Sequence, residues 1–190
     1  MPSKPPHQPS LFTAAEQRAC IKAPQPVDAN FTAEALREWK TRVGQFQARV
    51  QPVTSQGFLF EAQTQLIPEA IAPFSLPQQN FFFFNWPADR HPDSACLYFV
   101  IDSAASLLLY VGETCRANQR WKGVHDCKQY VLSYQALHFH YRLKTAINTA
   151  FYWEAPKETR PRQQLESALI RQWRSPFNKE NWRFWGTPFV

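Results

Sequence analysis

The second half of this chain holds five polar side chains of the types that metal-assisted hydrolysis of a phosphodiester requires. They are Tyr98, Tyr110, Arg120, Glu166 and Asn178. Such hydrolysis needs an activated water, a cation on the phosphate oxygens and stabilisation of the charge on the leaving oxygen. Glu166 supplies a hard oxygen ligand suited to Mg²⁺ or Mn²⁺. Arg120 can place two N–H donors on one phosphate, so we expect it to bind that group.

The two tyrosines are candidates for handling the proton of the attacking water. A free tyrosine has a pKa of about 10, so its phenol is protonated at neutral pH and cannot accept a proton. Either a nearby cation lowers the pKa of Tyr98 or Tyr110, or the phenol only donates a hydrogen bond. The sequence leaves both roles, and the choice of tyrosine, open.

A predicted β-hairpin positions the two tyrosines. Residues 96–101 and 107–111 are short runs rich in apolar residues, which predicts two buried strands. The short link between them favours an antiparallel hairpin. Tyr98 then lies in the middle of the first strand and Tyr110 at the end of the second, where Gly112 allows a sharp exit.

Two predicted helices carry the remaining candidates. A polar helix over residues 117–125 holds the arginine, and a helix over residues 162–174 holds the glutamate. The second helix marks its buried side with apolar residues four apart, namely Leu165, Leu169 and Trp173. Residues 128–146 are ambiguous and helical in part, and residues 150–153 indicate a third strand. We therefore predict an α/β (α+β) fold in which helices flank a small antiparallel three-stranded sheet.

These residues resemble the GIY-YIG nuclease superfamily, which includes phage homing endonucleases, some restriction enzymes and the repair incision nuclease of bacteria. The resemblance covers residues 96–178, and nothing before Ala95 belongs to it. Cys96 stands where the family's first glycine usually lies, at a position that is structural in the family. The matching segments are Cys96-Leu97-Tyr98, Tyr110-Val111-Gly112, Arg120-Trp121, Leu165-Glu166-Ser167-Ala168-Leu169-Ile170 and Pro176-Phe177-Asn178.

The resemblance implies a metal-dependent DNA endonuclease of repair, recombination or restriction, with Mg²⁺ or Mn²⁺ as cofactor. It implies that the five residues above are catalytic, with a tyrosine in the base role and Glu166 as the metal ligand. His125 joins them as a candidate for a phosphate contact or proton transfer, because some family members carry a histidine just beyond this arginine. Their usual spacing is one residue shorter, so a plain surface histidine is the other reading. A non-catalytic nucleic-acid-binding protein on the same fold is the alternative function, which Cys96 favours.

Proline divides the chain, since twelve of its sixteen prolines lie before residue 93. We predict a flexible proline-rich arm over residues 1–30 and a GIY-YIG-like domain over residues 95–190. Between them, residues 31–94 hold an N-terminal helix and an aromatic, proline-rich strap, both expected to pack on the domain.

The N-terminal helix is predicted over residues 32–50, with Thr32 as its cap. It places five apolar side chains on one face, namely Leu36, Trp39, Val43, Phe46 and Val50. The strap contains the aromatic run at residues 81–86. We expect this run to be packed in the core, because buried aromatics are commoner than aromatics that stack on bases.

Basic charge is concentrated in the C-terminal half. Residues 1–95 hold eight Lys and Arg against eight Asp and Glu, whereas residues 96–190 hold thirteen against seven, which is the whole net charge of +6. This placement fits the DNA partner that the resemblance implies, and a merely soluble basic surface is the other interpretation of the charge. In the arm, Gln8-Pro9-Ser10-Leu11-Phe12 resembles the short peptide by which bacterial proteins dock on the replicative sliding clamp. We find no apolar run of about 18 residues and no secretory signal, so we predict no membrane contact and a cytoplasmic location.

Overall fold

The computed structural model of the chain describes residues 31–50, 68–82, 94–115 and 126–187. The predicted arm with its clamp-like peptide lies outside the described residues. So does the predicted helix over residues 117–125, with Arg120 and His125. Their predicted roles stay predictions.

The sheet has four antiparallel strands. Their bounds are Gln78–Asn80 (β1), Cys96–Asp102 (β2), Leu107–Thr114 (β3) and Ile147–Tyr152 (β4). In space they run in the order β1, β4, β2, β3. The antiparallel sheet with flanking helices is confirmed, but the predicted count of three strands was wrong. The additional strand, β1, comes from the strap and pairs with β4. Two glutamines and an asparagine give no apolar alternation that could predict a strand.

Four α-helices lie in the described residues, together with short 3₁₀ turns. The helices are Ala33–Gln47 (α1), Asp126–His140 (α2), Thr159–Trp173 (α3) and Trp182–Trp185 (α4), and the turns are Pro68–Ala70, Pro73–Ser75 and Lys179–Asn181. The predicted helices over residues 32–50 and 162–174 are confirmed as α1 and α3. α3 begins earlier than predicted because Pro161 is tolerated in a first helical turn. The ambiguous segment is helical as far as His140, and β4 begins at Ile147 instead of residue 150.

The sheet is buried on both of its faces. All seven residues of β2 are buried, so this strand shows no apolar alternation. One face packs against α1 and α2, and the opposite face packs against α3. Phe81 and Phe82 of the strap are buried on the face that packs against α1 and α2, which confirms the predicted core packing for these two residues. Among the described helices, none has the length and apolar character to cross a membrane.

α1 is fixed to the sheet by its C-terminal end. Gln47 is 3% exposed, and its amide nitrogen donates to the carbonyl oxygens of Leu108 (2.9 Å) and Trp173 (3.1 Å). Its amide oxygen accepts from the N–H of Leu108 at 2.8 Å. Gly44 allows the close approach, because a Cβ there would lie 3.3 Å from Leu107 Cδ2. The ends of α1 and α3 therefore meet at the start of β3.

A buried polar network ties α1 to α2 and to the end of β2. Asp102 is fully buried, and its carboxylate accepts hydrogen bonds from the Tyr134 hydroxyl (2.8 Å) and Lys40 Nζ (3.2 Å). The backbone N–H groups of Ala104 and Ala146 donate to its other oxygen. Burial alone would raise the pKa of Asp102, but the Ala146 hydrogen bond and the Lys40 charge together hold that pKa below its usual value.

His138 completes this network as a neutral imidazole. Its Nε2 lies 2.9 Å from Lys40 Nζ, which can only donate, so Nε2 accepts and Nδ1 donates to the carbonyl of Tyr134 at 2.8 Å. Burial, helped by the Lys40 charge, lowers the pKa of His138 from 6.5 to about 4.

This histidine predicts a loss of stability in mild acid. Above pH 6.5 the imidazole is neutral in both states, but below that pH only the unfolded chain takes up the proton until about pH 4. The free energy of unfolding should fall over this window by on the order of 3 kcal/mol. Urea unfolding at several pH values measures it. The His138→Gln variant should lose most of this pH dependence and the exposed-site control His140→Gln should keep it. Equal pH dependence of the unfolding free energy in wild type and His138→Gln would show that His138 is not the source of the loss of stability in acid.

Candidate active site

Tyr98 and Tyr110 lie side by side on one face of the sheet. β2 and β3 are antiparallel, with Tyr98 opposite Gly112 and Val100 opposite Tyr110. The two rings are stacked, with centroids 5.9 Å apart and planes 26° from parallel. The hairpin predicted from the sequence therefore brings the two phenols together.

Gly112 is what allows the ring of Tyr98 to occupy its place. A Cβ at Gly112 would lie 2.7 Å from Tyr98 Cε2, and closer still to the ring carbon and oxygen of the phenol group. Any side chain at this position would therefore displace the tyrosine ring. The strand continues to Thr114, so the predicted strand end at residue 111 and the sharp exit at Gly112 were wrong. A glycine inside a strand often marks such a close approach.

The tyrosine pair belongs to a longer row of aromatic rings across three strands. On β4, Phe151 lies 6.4 Å from Tyr98, and Trp153, just beyond that strand, stacks on Phe151 at 5.0 Å and 10°. Tyr98 and Phe151 are buried, whereas Tyr110 and Trp153 at the two ends are half-buried. Sequence reasoning missed Phe151 and Trp153, although their spacing of two in a strand places both on one face. Tyr110 is thus the more accessible tyrosine.

Glu166 lies on α3, which packs against the opposite face of the sheet. Its carboxylate is half-buried and follows the buried Leu165. Arg162, one turn earlier on the same helix, forms an ion pair with Glu113, with Nε 2.5 Å from Oε2.

The ion pair between Arg162 and Glu113 sets the position of α3 on β3. Arg162 is 1% exposed, and its Nη1 also donates to the carbonyl oxygens of Pro156 (2.9 Å) and Lys157 (2.7 Å). Glu113 directly follows Gly112 on the edge strand of the sheet. The ion pair therefore fixes the helix that carries Glu166 next to the strand that carries Tyr110.

Asn178 is bound to the backbone of the same strand. It is 5% exposed, its side-chain oxygen accepts from the N–H of Val111 at 3.0 Å, and its nitrogen donates to the Val111 carbonyl at 2.8 Å. The oxygen also accepts from Ser175 Oγ, and Phe177 N–H donates to the Leu109 carbonyl. Both ends of the Asn178 amide are thus hydrogen-bonded to the outer edge of β3. Its predicted catalytic role stays a prediction.

Cys96 is a core residue. It is fully buried on the same face as Tyr98, and burial raises the pKa of its thiol to about 12. A neutral thiol of this kind behaves as a small apolar group.

A metal ion at this site would depend on one carboxylate and water. Within the described segments, no group of three or more His, Cys, Asp and Glu side chains could hold a metal. Mg²⁺ is commonly bound through one or two carboxylates together with waters and substrate phosphate. The partly accessible carboxylate of Glu166 fits that kind of binding.

Comparison with known proteins gave no family model, no curated protein and no solved structure that matches this chain. The tyrosine pair, the Arg162 ion pair and the edge-strand contacts of Asn178 are properties of the chain itself. A functional proposal must therefore start from them.

Proposed function

We propose that this chain is a metal-dependent DNA endonuclease of the GIY-YIG type, acting in repair, recombination or restriction. The observation that carries the proposal is the stacked pair Tyr98 and Tyr110 over Gly112. The Arg162–Glu113 ion pair supports it, because it holds the helix of Glu166 against the same edge strand. The basic C-terminal half supports DNA as the substrate.

Each residue has a distinct part in the proposed reaction. Glu166 holds Mg²⁺ or Mn²⁺, which when bound neutralises charge on the phosphate oxygens. Tyr110, with a partly exposed side chain, orients the attacking water through its hydroxyl and handles its proton. Tyr98 packs beneath it as a positioning residue, and Arg120 binds the phosphate.

The different exposure of the two tyrosines predicts different losses of activity. Tyr110→Phe removes the accessible hydroxyl and should lower the single-turnover cleavage rate by about 10²-fold, the lower range for loss of proton-transfer catalysis. Tyr98→Phe keeps the buried ring and should lower the rate by less than about 10-fold, since it acts only through packing. Both rates are measured at saturating metal and protein. A larger loss in Tyr98→Phe than in Tyr110→Phe would reverse the assignment.

The activity itself is tested by incubating the purified chain with supercoiled, branched and nicked DNA. We expect strand scission with Mg²⁺ or Mn²⁺ and none when EDTA removes the metal. DNA preference is read from the relative rates on the three substrates. Absence of scission on every substrate, by a folded protein that binds DNA, would reject the endonuclease.

A second candidate is a nucleic-acid-binding protein that does not cleave. The observation that favours it is the complete burial of Tyr98, with Cys96 in the core beside it. Such a protein would bind DNA with an affinity that falls steeply as the salt concentration rises. It would not cleave DNA, whichever metal ion is added. The sliding clamp remains a proposed partner through the peptide from Gln8 to Phe12. Deletion of residues 1–12 should abolish clamp association, and unchanged association would remove this partner.

A further inference from the structure

A cluster of arginines and aromatic rings lies where α1, α4 and the end of α3 meet. The guanidinium of Arg174 is held between two phenyl rings, 4.5 Å from the Phe46 centroid and 4.1 Å from the Phe184 centroid. Arg183 lies over Phe184 at 4.7 Å. Phe184 is 36% exposed, which is unusual for a large apolar side chain. With Arg42 and Arg49 added, we call these six residues the basic-aromatic surface.

The backbone beneath Arg174 is fixed on both sides. Arg174 has a left-handed conformation (φ 45°, ψ 47°) at the C-terminal cap of α3, where its N–H donates to the Ile170 carbonyl. Its own carbonyl accepts from Trp185 Nε1 at 2.6 Å, and the Trp185 carbonyl accepts from Trp39 Nε1 at 3.1 Å. The stacked guanidinium is therefore pre-organised, and its N–H donors remain at the edge of its plane.

Within the described residues, no carboxylate neutralises the charge of this surface. The ion pairs within the described residues use Arg37, Lys40, Arg162 and Lys179. None of the four arginines of the surface has a carboxylate partner in that part of the chain. Arg42 and Arg49 flank Phe46 on α1 and just beyond it, and both are exposed. On α1, Glu34 pairs with Arg37, and Glu38 forms no ion pair within the described residues.

The surface lies along the same edge strand as the tyrosine pair. Gln47 joins the end of α1 to Leu108 and to Trp173, which places the basic-aromatic surface at the start of β3. Gly112, beneath Tyr98, is four residues further along that strand, or roughly 13 Å away. A DNA strand carries one phosphate about every 3.4 Å of helix axis, so about four nucleotides cover this distance.

We propose that the basic-aromatic surface binds the phosphates of the DNA strand that flanks the scissile bond. The proposal rests on the proposed function in taking DNA as the ligand. Because Arg174 and Arg183 are backed by phenyl rings, they present fixed donors to successive phosphates, and the exposed Arg42 and Arg49 extend the contact.

The test is equilibrium binding of the full chain to a fluorescently labelled DNA duplex in EDTA, which prevents cleavage. Binding is followed by fluorescence anisotropy over a range of salt concentrations. The test variant is Arg42→Ala/Arg183→Ala, because both side chains are exposed. The matched control is Arg142→Ala/Lys144→Ala, which removes the same charge from exposed positions just before β4, two strands away from β3. Thermal melting confirms that each variant is folded.

Each phosphate contact contributes about 0.9 to the slope of log affinity against log salt concentration. The test variant should therefore show a slope smaller in magnitude by about 2 and an affinity at least about 10-fold lower near 0.1 M salt. The control should keep the wild-type slope. An unchanged slope in the test variant, or equal losses in both variants, would overturn the proposal.

The two proposals can fail separately in these assays. If the wild type cuts no DNA but the test variant still loses binding as expected, the endonuclease proposal is rejected and the binding role of the basic-aromatic surface is retained. If the wild type cuts DNA and the test variant binds DNA like wild type, the binding role of the surface is rejected and the endonuclease proposal is retained.

Discussion

Replacing Glu166 with alanine is expected to lower the rate of DNA cleavage by about 10³-fold. A metal ion on the phosphate oxygens contributes several kcal/mol to stabilising the transition state, and each 1.36 kcal/mol is about tenfold in rate. Without the carboxylate the ion loses its proposed protein ligand. The rate is measured in single turnover, with Mg²⁺ and with Mn²⁺, on the substrate that wild type cuts best.

The matched control for this substitution is Glu38→Ala, which makes the same chemical change at an exposed position of α1. It should cleave like wild type. DNA affinity measured in EDTA should be similar in both variants, so that a lower rate reports the chemical step. Cleavage by Glu166→Ala at the wild-type rate would reject Glu166 as the metal ligand.

Replacing Arg162 with methionine is expected to lower the free energy of unfolding by about 3–5 kcal/mol. The substitution leaves the carboxylate of Glu113 without its cation in a largely buried position, and removing one partner of a buried pair costs about that much. It also removes the donor from the carbonyl oxygens of Pro156 and Lys157. For a chain of this length the melting temperature should fall by roughly 10 °C.

Two further variants separate the ion pair from general damage. Arg37→Met breaks the exposed pair with Glu34, whose side chains are 56% and 76% exposed, and should cost less than about 1 kcal/mol. Glu113→Leu in the Arg162→Met background should recover part of the loss, because it removes the unpaired charge. Equal small losses in Arg162→Met and Arg37→Met would show that the buried pair does not hold α3 on β3.

Local patterns in the sequence were sufficient for much of the fold. The spacing of Leu36, Trp39 and Val43 predicts α1, and Thr32 caps it as expected, since the Ala35 N–H donates to its hydroxyl. The hairpin was predictable because two apolar runs with a short link have few alternatives. Its antiparallel register then places Tyr98 beside Tyr110.

Features that depend on distant parts of the chain were not predictable in this way. β1 is a strand only because β4 offers it hydrogen-bond partners, and its three polar residues have no strand pattern. The buried face of α2 includes the polar Lys128 and His138, whereas Phe139 on the same helix is exposed, so the contrast between apolar and polar faces is weak in the sequence.

The candidate site shows the same division. Spacing alone offers Glu166, one helical turn away, as a partner for Arg162, whereas Arg162 pairs with Glu113, which is 49 residues away in the sequence. The amide of Asn178 bonds to the edge of β3 across 67 residues, a contact that its place in a motif does not predict. These individual contacts depend on the tertiary fold.

Whether the phenol of Tyr110 and the carboxylate of Glu166 act on one phosphate is tested most directly by combining their substitutions. The measurement is the single-turnover cleavage rate of Tyr110→Phe/Glu166→Ala beside each single variant. When two residues act as a unit, removing either one abolishes their joint contribution to the rate. The double variant should therefore cleave at about the rate of Glu166→Ala alone. A loss equal to the product of the two single losses, or single variants that cleave like wild type, would contradict a shared site.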